Sequence, residues 1–278
     1  MRLIYNNVAD TATSISANNT VAGAESNLKN NRKSSVHRAG TSVTYTLTWT
    51  SAQKINAVAL PATNLVAGSS IQVRLYTEAA DTTPHTANAL PVAAAADRAI
   101  ILPGNVLIPN YTHFSLGGAT KTSVWFPSVT SSQTTKRMEI LLTNPNPIDC
   151  SRIVCGEYWQ PKRQVSRGIT LGVQDNSEVS NTRSGDVYIN TTYTRESLNF
   201  ELQYFDDADR KQLLDIFRTW GSNGFIYVCV FPDVDTLTYP QGNSELMQTY
   251  SIYGRNTDLS LQYDIYSIYT AQLSIESW

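Results

Sequence analysis

The chain has 278 residues, 41% hydrophobic and 16% charged, with a formal net charge of -2. The length fits one large or two ordinary domains. The near-neutral balance argues against a basic nucleic-acid face, and no run approaches the ~20 apolar residues of a membrane helix, so neither nucleic acid nor membrane insertion is expected. The opening MRLIYNNVAD lacks the apolar core of a signal peptide, which predicts synthesis in the cytosol without export by the common route.

In chain order, residues 1–26 are rich in Asn, Ala and Thr, and only LIY reads as a strand start. This stretch is expected to be an edge strand with a long loop, or an arm reaching a neighbour. Val43, Tyr45, Leu47 and Trp49 then alternate with polar residues, the period-two pattern of a half-buried antiparallel strand. Ile55, Ala57 and Ala59 repeat it, as do Ile71, Val73 and Leu75, with 61–70 read as a connection punctuated by Pro and Gly. Residues 77–99 read as a long loop. Strand signals return at 99–102, 122–126, 137–142 and 153–154. The first 160 residues therefore predict a sandwich of roughly eight strands, a jelly-roll count.

From Gln160 onward come further β runs with polar turns. Leu198, Phe200, Leu202 and Tyr204 alternate. Asp206, Asp207 and Asp209 open a helix over about 207–220: Asp is a good N-cap, and acids suit the positive end of the helix dipole. Leu213, Phe217 and Trp220 sit at helical spacing, with Leu214 and Ile216 broadening the stripe. FIYVCVF and the residues from Leu259 to Trp278 supply closing strands. The prediction is a mostly β protein: a jelly-roll sandwich over 1–160, then over 161–278 a small sheet or open barrel carrying one helix.

Candidate chemistry is sparse. Cys150, Cys155 and Cys229 are odd in number, against a full disulfide framework, and the 150/155 spacing is not that of a zinc knuckle. Buried packing or a metal site completed by a histidine remain the two readings. His37, His85 and His113 fall in predicted loops as solvated residues. No nucleophile elbow and no phosphate loop occurs. The acids at 206–209 fit a paired-carboxylate glycosidase or, more simply, a helix N-terminus. Asp233 and Asp235 offer too few oxygen ligands for calcium. Lys29, Arg32, Lys33 and Arg38 cluster near His37, as a solvated face or a contact for phosphate, a sugar acid or an acidic partner. The tyrosines between Tyr239 and Tyr269 suit an interface or cross-strand pairing, and Trp125 stands out as an aromatic loop residue able to stack on sugar. No catalytic, cofactor-binding or metal residue is assigned, and no cofactor is expected.

Two stretches carry a family resemblance. NLKNNRKSSVHRAG, TYTLTW, INAVALPATNL and SIQVRLY resemble the galactose-binding-like, discoidin-type jelly roll of tailed-bacteriophage structural proteins. CGEYWQPKRQVSRGITLGVQDNSEVSNTRSGDVYI, with the helix and FIYVCVFPD, resembles the β-rich attachment domains of phage tail-tip and baseplate proteins. Together the chain resembles a distal-tail or baseplate-type structural protein of a long-tailed bacteriophage, although the jelly roll comes first, unlike many distal tail proteins. The resemblance implies a non-enzymatic virion component at the tail tip, assembled in the host cytoplasm. The second domain would form a threefold or sixfold ring at the end of the tail tube. The first would hold neighbouring tail-tip or receptor-binding proteins. The alternative is a carbohydrate-binding module touching host-surface glycan.

Overall fold

The computed structural model describes the chain apart from residues 67–68, 86–96, 102–119, 127–133, 164, 166, 176, 182–183, 185, 191–193, 222–223, 233–246 and 266–267. Two compact units emerge. Unit 1 is Met1–Pro109, Ala119–Gln160 and Ile226–Ser251; unit 2 is Asn110–Gly118, Pro161–Phe225 and Ile252–Trp278. Both are mostly β and antiparallel.

In chain order the strands of unit 1 are β1 (Arg2–Ile4), β2 (Ser14–Ala17), β3 (Thr20–Ala22), β4 (His37–Ala39), β5 (Ser42–Gln53), β6 (Ala57–Thr63), β7 (Ser70–Tyr76), β8 (Asp97–Ile101), β9 (Thr120–Trp125), β10 (Thr135–Thr143), β11 (Ile148–Cys150), β12 (Val154–Gly156) and β13 (Tyr158–Trp159). Two sheets face each other. One runs β2-β5-β10-β7-β8; the other runs β12-β6-β11-β4-β3, with β9 also on β6. The alternation read from the sequence sets the inner face of the first sheet. Register stacks Val43, Leu142 and Ile71 in one row, Tyr45, Ile140 and Val73 in the next, and Leu47, Met138 and Leu75 in a third. All nine are buried and share one core with Val58, Leu60, Val124, Ile148, Cys150 and Cys155 of the facing sheet. Burying such side chains is worth about 1.5–3 kcal/mol apiece.

Residues 1–26 are not an extended arm. They form β1, β2 and β3 against strands of their own chain. β6 differs from the sequence reading in two ways. It is buried on both faces rather than alternating, and it continues through Pro61, where the sequence predicts the start of a connection. Proline lacks the amide hydrogen a central ladder needs. Here it sits where the pairing to β9 shifts register between Leu60 and Thr63, and where the other edge passes from β12 to β11.

The chain then enters unit 2 with β14 (Arg167–Asp175), β15 (Glu178–Asn181), β16 (Val187–Asn190), β17 (Thr194–Phe205) and helix α1 (Asp207–Trp220). It continues through β18 (Phe225–Cys229), which from Ile226 belongs to unit 1 and pairs with β1, and closes with β19 (Ser251–Ile265) and β20 (Ile268–Ser277). In unit 2 the pairing order is β19-β20-β17-β14, and β15 and β16 form a ribbon of their own. Leu198, Phe200 and Leu202 pair with Ile275, Leu273 and Ala271, giving one buried face.

The helix begins where expected. Asp206 is its N-cap, its carboxylate accepting from the Asp209 amide at 2.9 Å. Its buried stripe is Leu213, Ile216 and Phe217. Two expectations fail here. Trp220 is 37% exposed because it is the last helical residue, beyond the span the stripe covers. Tyr204 is 55% exposed because an extra residue in β17 between Leu202 and Phe205 breaks the alternation, placing Tyr204 at φ 60° and turning Phe205 inward. Accordingly, Phe217→Ala should lower the unfolding free energy by about 3–5 kcal/mol, read from urea denaturation. Trp220→Ala should cost less than half as much; equal losses would contradict this packing.

Candidate functional site

The histidine nearest the predicted basic loop lies in a strand and in the core. His37 occupies β4 with no exposed surface. Its Nδ1 lies 3.1 Å from the Tyr45 hydroxyl and its Nε2 3.1 Å from Thr20 Oγ1. The Thr20 hydroxyl donates to Glu25 at 3.0 Å. Its one hydrogen being committed there, Thr20 accepts from His37 Nε2–H, and in the neutral ring Nδ1 accepts from Tyr45 O–H. The chain of bonds thus has one direction, from the core to the surface carboxylate. Burial lowers the His37 pKa, against the opposing pull of Glu25 and Asp149. Protonation would put a second N–H against the Tyr45 oxygen and break the order.

The remaining cationic candidates disperse. Arg38 binds Asp149 through two bonds of 2.7 Å. The Lys29 ammonium caps the Ala12 carbonyl. Arg32 is exposed and Lys33 partly so. No common anion site is assembled from these four. His85 is half-buried, with its Nε2 3.2 Å from Thr135 Oγ1, and burial lowers its pKa. His113, Asp233 and Asp235 lie outside the described residues.

The three cysteines are free, buried and in strands. Burial pushes Cys150 up to about 12 and Cys229 to about 11, and raises Cys155 further. Such thiols are neither nucleophiles nor metal ligands at neutral pH, and among the described residues no group of three His, Cys, Asp or Glu side chains is placed to hold a metal ion. The acids at the start of α1 are engaged in the helix. Lys211 and Arg210 hold Asp207 at about 2, Lys162 and the Asp209 amide lower Asp206, and Asp209 accepts from the Lys162 amide at 3.1 Å. Neither Asp206 nor Asp207 is poised to protonate a glycosidic oxygen near neutral pH.

Trp125 is not a loop platform. It lies in β9, 3% exposed, with Tyr158 edge-on at 5.6 Å, Tyr227 at 6.2 Å and the Arg2 guanidinium 5.8 Å from its ring. The indole N–H donates to Ser123 at 2.8 Å.

What unit 2 does offer is exposed apolar surface on strands. Val173 is 70% exposed, Val179 66% and Val187 63%, and Tyr188 and Leu171 are also exposed. Sequence reading missed these five. Their alternation with polar residues is that of any half-buried strand; only the lack of a covering layer among the described residues sets them apart, and periodicity does not report it.

No family model and no curated protein sequence matches the chain. Solved structures with some likeness include carbohydrate-binding domains. A chitosan-binding module of a chitosanase/glucanase from Paenibacillus sp. IK-5 is 15% identical with TM-score 0.36, covering 55% of this chain and 99% of that one. The lectin domain of lectinolysin in complex with Lewis b antigen is 11% identical with TM-score 0.34, covering 54% and 95%. A family 32 carbohydrate-binding module from Clostridium perfringens NanJ, in complex with galactose, is 9% identical with TM-score 0.35, covering 57% and 100%. Likeness at this level assigns no function to this chain.

Two measurements follow from the geometry. His37 is held neutral, so its contribution to stability is complete above its unfolded value of about 6.5 and declines as pH falls below that toward the lowered folded value. His85 is shifted the same way. Urea midpoints should therefore fall between pH 7.5 and 5, and the fall should be smaller in His37→Gln; an unchanged pH slope would contradict the buried neutral ring. Ellman's reagent should find no reactive thiol in the native protein and all three in guanidinium.

Proposed function

We propose that the chain is a non-catalytic assembly protein in which unit 2 joins copies to one another and unit 1 presents a sandwich to a further partner. The observation that carries this reading is the set of exposed apolar side chains on the strands of unit 2, Leu171, Val173, Val179, Val187 and Tyr188. Apolar strand side chains open to water are covered when an adjoining copy supplies a layer over them, and exposed apolar surface is where a protein meets a partner. The finer reading follows the sequence resemblance: a ring of three or six copies at the distal end of a long-tailed phage's tail tube, in the virion, holding tail-tube, tail-tip and receptor-binding proteins. Head-to-tail contacts that close generate such rings. Light scattering on the purified chain should give a mass three or six times the protomer's 30.7 kDa. A monomer at every concentration tested would sink the assembly reading.

A second reading concerns unit 1. Its two facing sheets form a sandwich, and the sequence of this part resembles the galactose-binding-like jelly roll, an architecture that hosts many lectins. The interior between the sheets is filled by side chains, so a glycan would engage the connecting loops. Screening against galactose-terminated and amino-sugar glycans tests it: saturable binding supports a glycan partner, and no binding to any glycan counts against one. Trp125→Ala is a poor probe, since loss of that buried ring would disturb packing before any sugar contact.

A further inference from the structure

Among the described residues, unit 2 contains an open sheet edge and, two residues away along the chain, a ribbon that joins no larger sheet. Among those residues β14 pairs on one side only, with β17. It is nine residues long, RGITLGVQD, and contains neither lysine nor proline, the residues that commonly blunt such edges. Its first part is irregular: Gly168 at φ 75° and Ile169 together face Phe200, one residue on β17, a bulge of the glycine type. From Thr170 to Asp175 the register is continuous. That stretch presents a row of outward backbone donors and acceptors, flanked by exposed Leu171 and Val173.

At Asp175 the chain turns away. Its carboxylate accepts from the Ser177 amide at 2.9 Å and the Ser177 hydroxyl at 2.6 Å, an Asx turn. β15 then pairs with β16 instead of folding back on β14. Pairing Val179 with Ile189 and Asn181 with Val187 sets Val179 and Val187 on one face of the ribbon, with Tyr188 on the other. Two strands alone are marginal in water; a third strand or a covering layer is needed.

We propose that the β15–β16 ribbon of one copy adds to the 170–175 edge of β14 in the next copy. The proposal rests on the assembly reading and gives its contact. Each protomer carries what the other lacks: an edge missing a strand and a ribbon missing a sheet. Strand addition satisfies backbone groups on both sides and brings Val179 and Val187 level with Leu171 and Val173, closing the apolar face. The contact is between two different surfaces, so where the rotation between copies closes it generates a ring.

The test uses full-length variants. Val173→Cys and Val187→Cys chains, co-expressed and mildly oxidised, should give a covalent dimer containing one of each; the native thiols are buried and stay out of the reaction. A product dominated by Val173→Cys homodimers would mean edge-to-edge pairing and overturn the proposal. So would an intrachain bridge without interchain dimer in the Val173→Cys/Val187→Cys double variant, which would mean that the ribbon closes on its own edge. Separately, Val179→Lys with Val187→Lys should reduce the light-scattering mass to that of a monomer while the far-ultraviolet spectrum is kept. An oligomer unchanged by that pair would remove the ribbon contact and leave the assembly reading standing; a monomeric wild-type chain would remove both.

Discussion

The organisation of unit 1 depends on β6 having no exposed residue. A strand buried on both faces must satisfy its backbone within the sheet and be covered on two sides. One side is the sandwich core, reached by Val58 and Leu60. The other carries Ala57 and Ala59 beside Trp125 and Ser123 of β9, beneath Arg2, Tyr227 and Met247. Small residues on that second face let a third layer approach. The layer comes from the two far ends of unit 1 in sequence, β1 and β18, which pair with each other. The sheet of β6 is therefore a middle layer, and the two sheets of the sandwich are not both free to offer an outer surface.

The same economy governs the ionisable groups. His37 completes a directed hydrogen-bond chain, Arg38 is clamped by Asp149, the three thiols are raised by burial, and the acids of α1 serve its N-terminus. Residue types that make chemistry elsewhere are committed here to holding strands and a helix in place.

Much of the fold was legible in the sequence because alternation is a direct report of one buried face. β5, β7 and β10 show it, and Asp206 followed by the Leu213–Phe217 stripe marked α1. The failures share a cause: period two says that a strand has two different faces, not what covers them. β6 reads as half-buried when a further layer makes it fully buried. Val173 and Val187 lie in runs read only as strands with polar turns, and among the described residues both stay exposed. A one-residue insertion such as that near Tyr204 inverts the pattern without leaving a compositional trace. His37 was assigned to a loop because its short strand, His37–Ala39, is too brief for a periodic signal.

The pairing of β1 with β18 sets Arg2 opposite Cys229, two strands far apart in sequence. During translation β1 can meet the two-residue β13 long before β18, and its other flank stays open until the residues beyond α1 have emerged. Unit 1 thus reaches its native state only after most of unit 2 has been synthesised. Such long-range closure is slow and leaves β1 and the outer side of β6 uncovered meanwhile. A nascent chain with this path has reason to meet a chaperone, or its own sister copies, before it is complete.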